Sequence, residues 1–158
     1  MPLRLIAVGT RMPDWVDQAY TDYARRLRGG YRLELTEIPV ARRNAADGPA
    51  RVERLVADEG RRMLSVLGPG DCVVALDERG REHSSRQLAA QLPRWLKGGT
   101  VAFLVGGPDG FAPQVLARAQ ERWSLSRLTL PHGLARVLLA EQLYRAVSLM
   151  SGHPYHRD

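Results

Sequence analysis

The chain's 158 residues make room for one hydrophobic core and not for two, so a single domain spanning residues 1–158 is expected. A composition of 44% hydrophobic and 25% charged residues excludes a disordered polymer, the lone Cys72 excludes an internal disulfide, and no segment approaches the roughly 18 apolar residues of a membrane span. The net charge of +6 sets 23 Lys and Arg against 17 Asp and Glu, every cation but Lys97 being arginine, which favours a polyanionic partner such as nucleic acid over a neutral one.

Leu3–Val8 (LRLIAV) reads as a buried first strand ended by Gly9, and no apolar leader follows Met-Pro-Leu-Arg, so a soluble cytoplasmic protein is expected. Pro13 opens a helix in which Trp15, Val16, Ala19, Tyr20, Tyr23, Ala24 and Leu27 recur at helical spacing. Residues 31–38 alternate with period two and stop at Pro39, a strand; residues 40–48, with Arg42-Arg43-Asn44, read as a mobile basic loop. Pro49 starts a second helix, residues 71–77 form a third strand, and Glu78-Arg79-Gly80 is the turn after it. Cys72 in that strand reads as a small buried hydrophobe. Ser84 caps a third helix that Pro93 should kink or break. Residues 100–105 are a fourth strand, 113–122 a fourth helix, 125–130 a fifth strand and 134–151 a last helix. Alternation of strands with helices predicts an α/β fold, a mostly parallel sheet with helices on both faces, whose ligands sit beyond the carboxyl ends of the strands.

The positive charge is spread evenly: residues 1–70 hold 12 cations and 9 anions, residues 71–158 hold 11 and 8. Nucleotide bias in the genome would produce the same arginine excess without any partner. Gly106-Gly107-Pro108-Asp109-Gly110 follows the fourth strand and permits close approach of backbone to a ligand, although a tight turn uses the same glycines. Neither the dinucleotide fingerprint nor the phosphate-cradling loop of the NTPases is present, which removes most support from NAD and ATP readings. His132 at the start of the last helix reads as a turn residue bonded to nearby backbone. That helix is apolar over most of its circumference and requires cover, often from a second subunit; its stripe Glu141, Arg145, Ser148 reads first as a helical ion pair. The tail His153-Pro154-Tyr155-His156-Arg157 concentrates bases, a ring and a phosphate ligand, yet chain ends are usually frayed. Its two histidines lack a third ligand, so no metal is expected.

Taken in order, Ala7-Val8-Gly9-Thr10-Arg11-Met12-Pro13-Asp14-Trp15-Val16, Leu76-Asp77-Glu78-Arg79-Gly80, the 106–110 glycine run, residues 123–132 (WSLSRLTLPH), Glu141-Gln142-Leu143-Tyr144-Arg145-Ala146 and the tail resemble the ribosomal RNA large subunit methyltransferase H family, small members of the SPOUT superfamily. Gly133 and Gly152 depart from it, standing where Pro and Asn are expected. The resemblance implies an α/β knot, a homodimer, S-adenosylmethionine as cofactor, and N3-methylation of pseudouridine 1915 of 23S ribosomal RNA within assembled ribosomes. By motif match it implies cofactor contacts at Leu76, Gly106, Leu125, Ser126, Arg127, Leu128, Thr129 and Leu130. The imide proton of the target must leave before or during attack, and the candidate bases or orienters are His156, Tyr155, Arg157 and His153, in that order. Arg157 or Arg145 would stabilise the charge developing on the base. A non-catalytic ribosome-binding module and a nucleotide- or NAD-binding enzyme are the alternatives; binding of labelled S-adenosylmethionine separates them.

Overall fold

A computed structural model describes residues 2–156, for His156 the backbone alone. Five strands, β1 (Leu3–Val8), β2 (Leu33–Ile38), β3 (Cys72–Glu82), β4 (Val101–Val105) and β5 (Glu121–Ser124), form one parallel sheet in the order β2-β1-β4-β3-β5. Leu3 pairs with both Leu33 and Val101, and Cys72 with Val101, so the strands enter in step. Alternate side chains divide the core. Leu3, Leu5, Val74, Phe103 and Trp123 pack with α1 (Asp14–Ala24), α3 (Ser85–Trp95) and α5 (His132–Ser151) on one face. Ile6, Val8, Val73, Ala102 and Leu104 pack with α2 (Pro49–Ser65) and α4 (Pro113–Arg118) on the other. Cover on both faces is why β4 is an unbroken apolar run, and β1 one interrupted only by Arg4, rather than alternating ones.

Local chemistry sets the ends of the elements. Ser84 Oγ accepts from the Gln87 amide (3.1 Å) while Gln87 Oε1 accepts from the Ser84 amide (2.8 Å), a reciprocal cap that starts α3. Pro93 does not break this helix, which runs to Trp95 and tightens into a 3-10 turn at Leu96–Gly98. Gly152 ends α5 in the left-handed region (φ 73°), where glycine and asparagine are both tolerated. At the other end, a Cβ on Gly133 would lie 2.8 Å from Val16 Cγ2, so glycine lets α5 descend onto α1.

Three expectations need correction. The fifth strand is Glu121–Ser124, not 125–130, and α4 stops at Arg118 rather than 122. Gln120 ends the helix because its amide donates to the Val73 carbonyl and its side-chain oxygen accepts from the Val73 amide, which sets the chain onto β3. Beyond β5, Ser124 Oγ donates to the Ser126 carbonyl and Ser126 Oγ accepts from the Leu128 amide, local bonds that compete with a ladder and leave 125–131 as a loop. Second, 78–80 is not a terminal turn: β3 continues to Glu82, but Leu76 and Arg81 both pair with Trp123, so residues 77–80 bulge outward. Gly80 closes that bulge, since a Cβ there would stand 2.5 Å from the Arg122 carbonyl carbon. Third, the 40–48 loop is tied to the body of the protein through Ala41, Arg43 and Asp47.

Candidate active site

The carboxyl ends of β1, β3 and β4 open into a cleft of about 1000 Å³. Its walls are the turn after β1, the 77–80 bulge, the glycine loop after β4, and the 125–131 segment. That segment crosses the sheet backwards: Thr129 Oγ1 donates to Glu78 Oε2 (3.1 Å), and His132 then reaches Gly106. Seven of the eight expected cofactor positions, Leu76, Gly106, Leu125, Ser126, Leu128, Thr129 and Leu130, line the cleft. Arg127 does not; it points outward to Glu82 with its side chain 89% exposed. At the glycine wall a Cβ on Gly106 would sit 3.2 Å from the backbone of Gly110, so this surface is backbone rather than side chain.

Under the cleft lies a residue that reading the sequence missed. Arg136, on the second turn of α5, is 1% exposed and donates to Gly9 O (2.8 Å), Glu37 Oε2 (2.8 Å) and His132 Nε2 (2.9 Å). The only signal in the sequence is a cation inside an apolar helix, four residues after His132. Because His132 Nε2 accepts from Arg136, its proton resides on Nδ1 and is given to the Gly106 carbonyl (3.1 Å). His132 is thus a backbone-bonded residue as expected, and it is also one link of a chain joining β1, β2, β4 and α5.

Burial, together with the Arg136 charge, holds the His132 pKa below its ordinary 6.5. The native state therefore keeps a neutral imidazole where the unfolded chain takes up a proton. This contribution to stability is complete above about pH 6.5 and is lost as pH falls toward the depressed folded value. Thermal unfolding should show Tm falling between pH 7.5 and 5.5, and His132→Gln should flatten that part of the profile. An unchanged slope in the variant would remove His132 as its cause.

The tail lies elsewhere. Tyr155 Oη donates to Glu141 Oε2 (2.9 Å), its ring packs on Tyr144 at 4.5 Å, and the Arg145 guanidinium lies 5.0 Å from the ring centre. Glu141 and Arg145 form the expected ion pair at 3.1 Å, and the same carboxylate also receives Tyr155. Burial and the Glu141 carboxylate push the Tyr155 phenol upward, so it stays protonated and serves as a donor rather than a base. The Tyr155 amide occupies His153 Nδ1 at 3.2 Å. The His156 side chain and Arg157 lie outside the described residues. The tail turns back along α5 as far as Glu141, nine residues or about 14 Å at 1.5 Å per residue from His132 at the cleft end of the helix.

A profile of the family described as "Predicted SPOUT methyltransferase" matches residues 1–156. Proteins named ribosomal RNA large subunit methyltransferase H are similar along the whole chain: that of Alkalilimnicola ehrlichii is 57% identical over 99% of each chain. The Azotobacter vinelandii protein is 54% identical over 99% of this chain and all of its own. Among solved structures, a "probable methylase family protein" from Haemophilus influenzae has a like fold, with a TM-score of 0.53 and 13% identity over 97% of this chain and 67% of its own.

Proposed function

The chain belongs to the SPOUT methyltransferase family, and from that premise we propose that it methylates large-subunit ribosomal RNA, using S-adenosylmethionine, at N3 of pseudouridine 1915 in assembled cytoplasmic ribosomes. The observation that carries the reading is the convergence of seven motif residues from three separate segments on one cleft at the strand ends. The donor set suits the cofactor. Leu128 is 73% exposed on the cleft wall, an apolar surface that a bound adenosyl group would cover, and Leu76, Leu125 and Leu130 add to it. Gly106 offers backbone where a branched side chain would intrude. The backward crossing of residues 125–131 supports the knotted form of the fold.

S-adenosylmethionine supplies a methyl group carried on a sulfonium. The protein's part is alignment of the acceptor nitrogen, removal of its proton and stabilisation of the charge left behind. Tyr155, held protonated, orients; His153 Nδ1 is engaged by backbone, which leaves His156 and Arg157 as the proton acceptor and the stabilising cation of this reading. The tail is pinned along α5, with Tyr155 at Glu141 about 14 Å up the helix from His132, and in this reading it serves the cleft of a second copy, so the active unit is a homodimer. Leu134, Leu138 and Leu149 of α5 are half-buried and belong to neither core cluster, which gives a partner an apolar face. Leu143 does not serve there: it is fully buried in its own chain, and a polar residue at that position would unfold the protomer rather than part a dimer.

Sedimentation should show a dimer at micromolar concentration, and Leu138→Glu should yield a folded monomer without activity. A stable wild-type monomer would contradict the reading. Calorimetry should show S-adenosylmethionine binding that Gly106→Val abolishes, because its side chain starts 3.2 Å from Gly110 backbone. Mass spectrometry of ribosomal RNA from treated ribosomes should find one added methyl on pseudouridine. A folded Gly106→Val protein with unchanged affinity would sink the cofactor assignment.

A further inference from the structure

One cluster of charges behind the cleft joins segments far apart in the chain. Glu59 on α2 is only 2% exposed. Its carboxylate accepts from the Ala41 amide (2.9 Å) and from both terminal nitrogens of Arg43, at 2.6 and 3.1 Å. The remaining nitrogen of that guanidinium, Nε, donates to Asp109 Oδ2 at 2.7 Å. Asp109 belongs to the glycine loop after β4, and Glu59 lies directly behind the same loop: a Cβ on Gly107 would stand 3.1 Å from Glu59 Oε1.

The rigidity of this unit follows from its parts. A buried carboxylate on a helix is fixed in place and needs a cation. Arginine offers a planar fork, so once two nitrogens bind Glu59 the direction of the third is set. The 106–110 loop, with three glycines in five residues and Gly110 at φ 79°, is closed on itself by one backbone bond from the Gly110 amide to the Gly107 carbonyl (3.1 Å), so its tip still needs an outside anchor. Its place above the sheet is set from outside at two points, by His132 at the Gly106 carbonyl and by Arg43 through Asp109 at the tip.

We propose that Arg43 is a positioning residue for the cofactor wall: through Asp109 it holds residues 106–110 at the height the methyl donor requires, without touching the donor. The inference rests on the reading of the cleft as the S-adenosylmethionine site. It also separates two neighbours in the basic run, Arg42 being exposed and Arg43 turned inward.

Calorimetry with S-adenosylmethionine, thermal unfolding and steady-state kinetics on the full chain test it. Asp109→Asn cuts only the arm toward the loop, and the Asp109 side chain is 40% exposed, so Tm should stay near that of the wild type. Cofactor affinity should drop by about 5- to 30-fold, the effect of losing one or two well-placed bonds. Arg43→Lys should show a similar loss, since one ammonium cannot serve Glu59 and Asp109 together. The loss should fall on the cofactor KM and much less on kcat. Combining Arg43→Lys with Asp109→Asn should weaken binding no further than the stronger single change, because both cut one strut.

Unchanged affinity in Asp109→Asn would overturn the proposal. So would multiplicative losses in the double variant, which would mean that Asp109 meets the cofactor itself. Wild-type protein that fails to bind S-adenosylmethionine would overturn the cofactor reading along with this one, whereas normal wild-type binding beside an indifferent Asp109→Asn rejects the strut alone.

Discussion

Deleting residues 153–158 should leave S-adenosylmethionine affinity nearly intact and lower single-turnover methyl transfer to ribosomes by about 10²–10⁴-fold, the usual cost of losing a positioned general base. The separation of effects follows from geometry. Every expected cofactor position precedes α5 in the chain, and the tail follows that helix, with Tyr155 held at Glu141 about 14 Å along it from His132. Tyr155 is held by Glu141, Tyr144 and Arg145, contacts that fix where the tail leaves the domain but add nothing to the cleft of the same chain. A truncation effect under about tenfold would be too small for proton transfer and would return the tail to a structural role.

The same arrangement makes a sharper result available. If each tail serves the partner's cleft, a tail-deleted chain and a Gly106→Val chain are both inactive alone yet complement when mixed. The mixed dimer holds one intact cleft facing one intact tail. Random pairing at equal amounts makes half the dimers mixed, each with one working site of two, so activity should recover to about a quarter of wild type. Absence of recovery in dimers proven to exchange would require the tail to act on its own cleft, against its attachment to Glu141 and Tyr144.

Much of this arrangement is legible in the sequence because it is written as periodicity and punctuation. The apolar runs of β1 and β4, the Ser84 and Gln87 cap, and the glycine loop at 106–110 depend on local residue types. What escapes is whatever tertiary partners decide. Residues 125–130 carry strand-like leucines and a threonine, but β3 has already paired with Glu121–Ser124, and the Ser126 hydroxyl satisfies backbone locally. Residues 40–48 read as a free basic loop because nothing local shows that Glu59, 16 residues beyond Arg43, is buried and needs its guanidinium. Of the eight positions the motif match named, seven line the cleft and the Arg127 side chain turns outward to Glu82, since a contiguous loop must turn some side chains away.

Arg136 shows the same limit, and it yields the largest expected loss of stability. Replacing it by Met keeps the volume and leaves Gly9 O and His132 Nε2 without donors beneath the cleft, together with the Glu37 carboxylate. Breaking a buried charge network in this way costs about 3–5 kcal/mol. Glu37→Gln should cost under about 1 kcal/mol, because that side chain is 35% exposed and water replaces much of what is lost. Denaturant unfolding of the two variants therefore separates a buried cation from its half-solvated partner. Acidity supplies the discriminating measurement. In the wild type, Arg136 helps to keep His132 neutral, so stability declines as pH falls below about 6.5. Without Arg136 that repulsion is gone and Nε2 is free to take a proton, so the variant declines less. The gap between wild type and Arg136→Met should narrow from pH 7.5 to pH 5.5. A gap of constant size would mean that His132 does not report on Arg136 and that the two bind the strand ends independently.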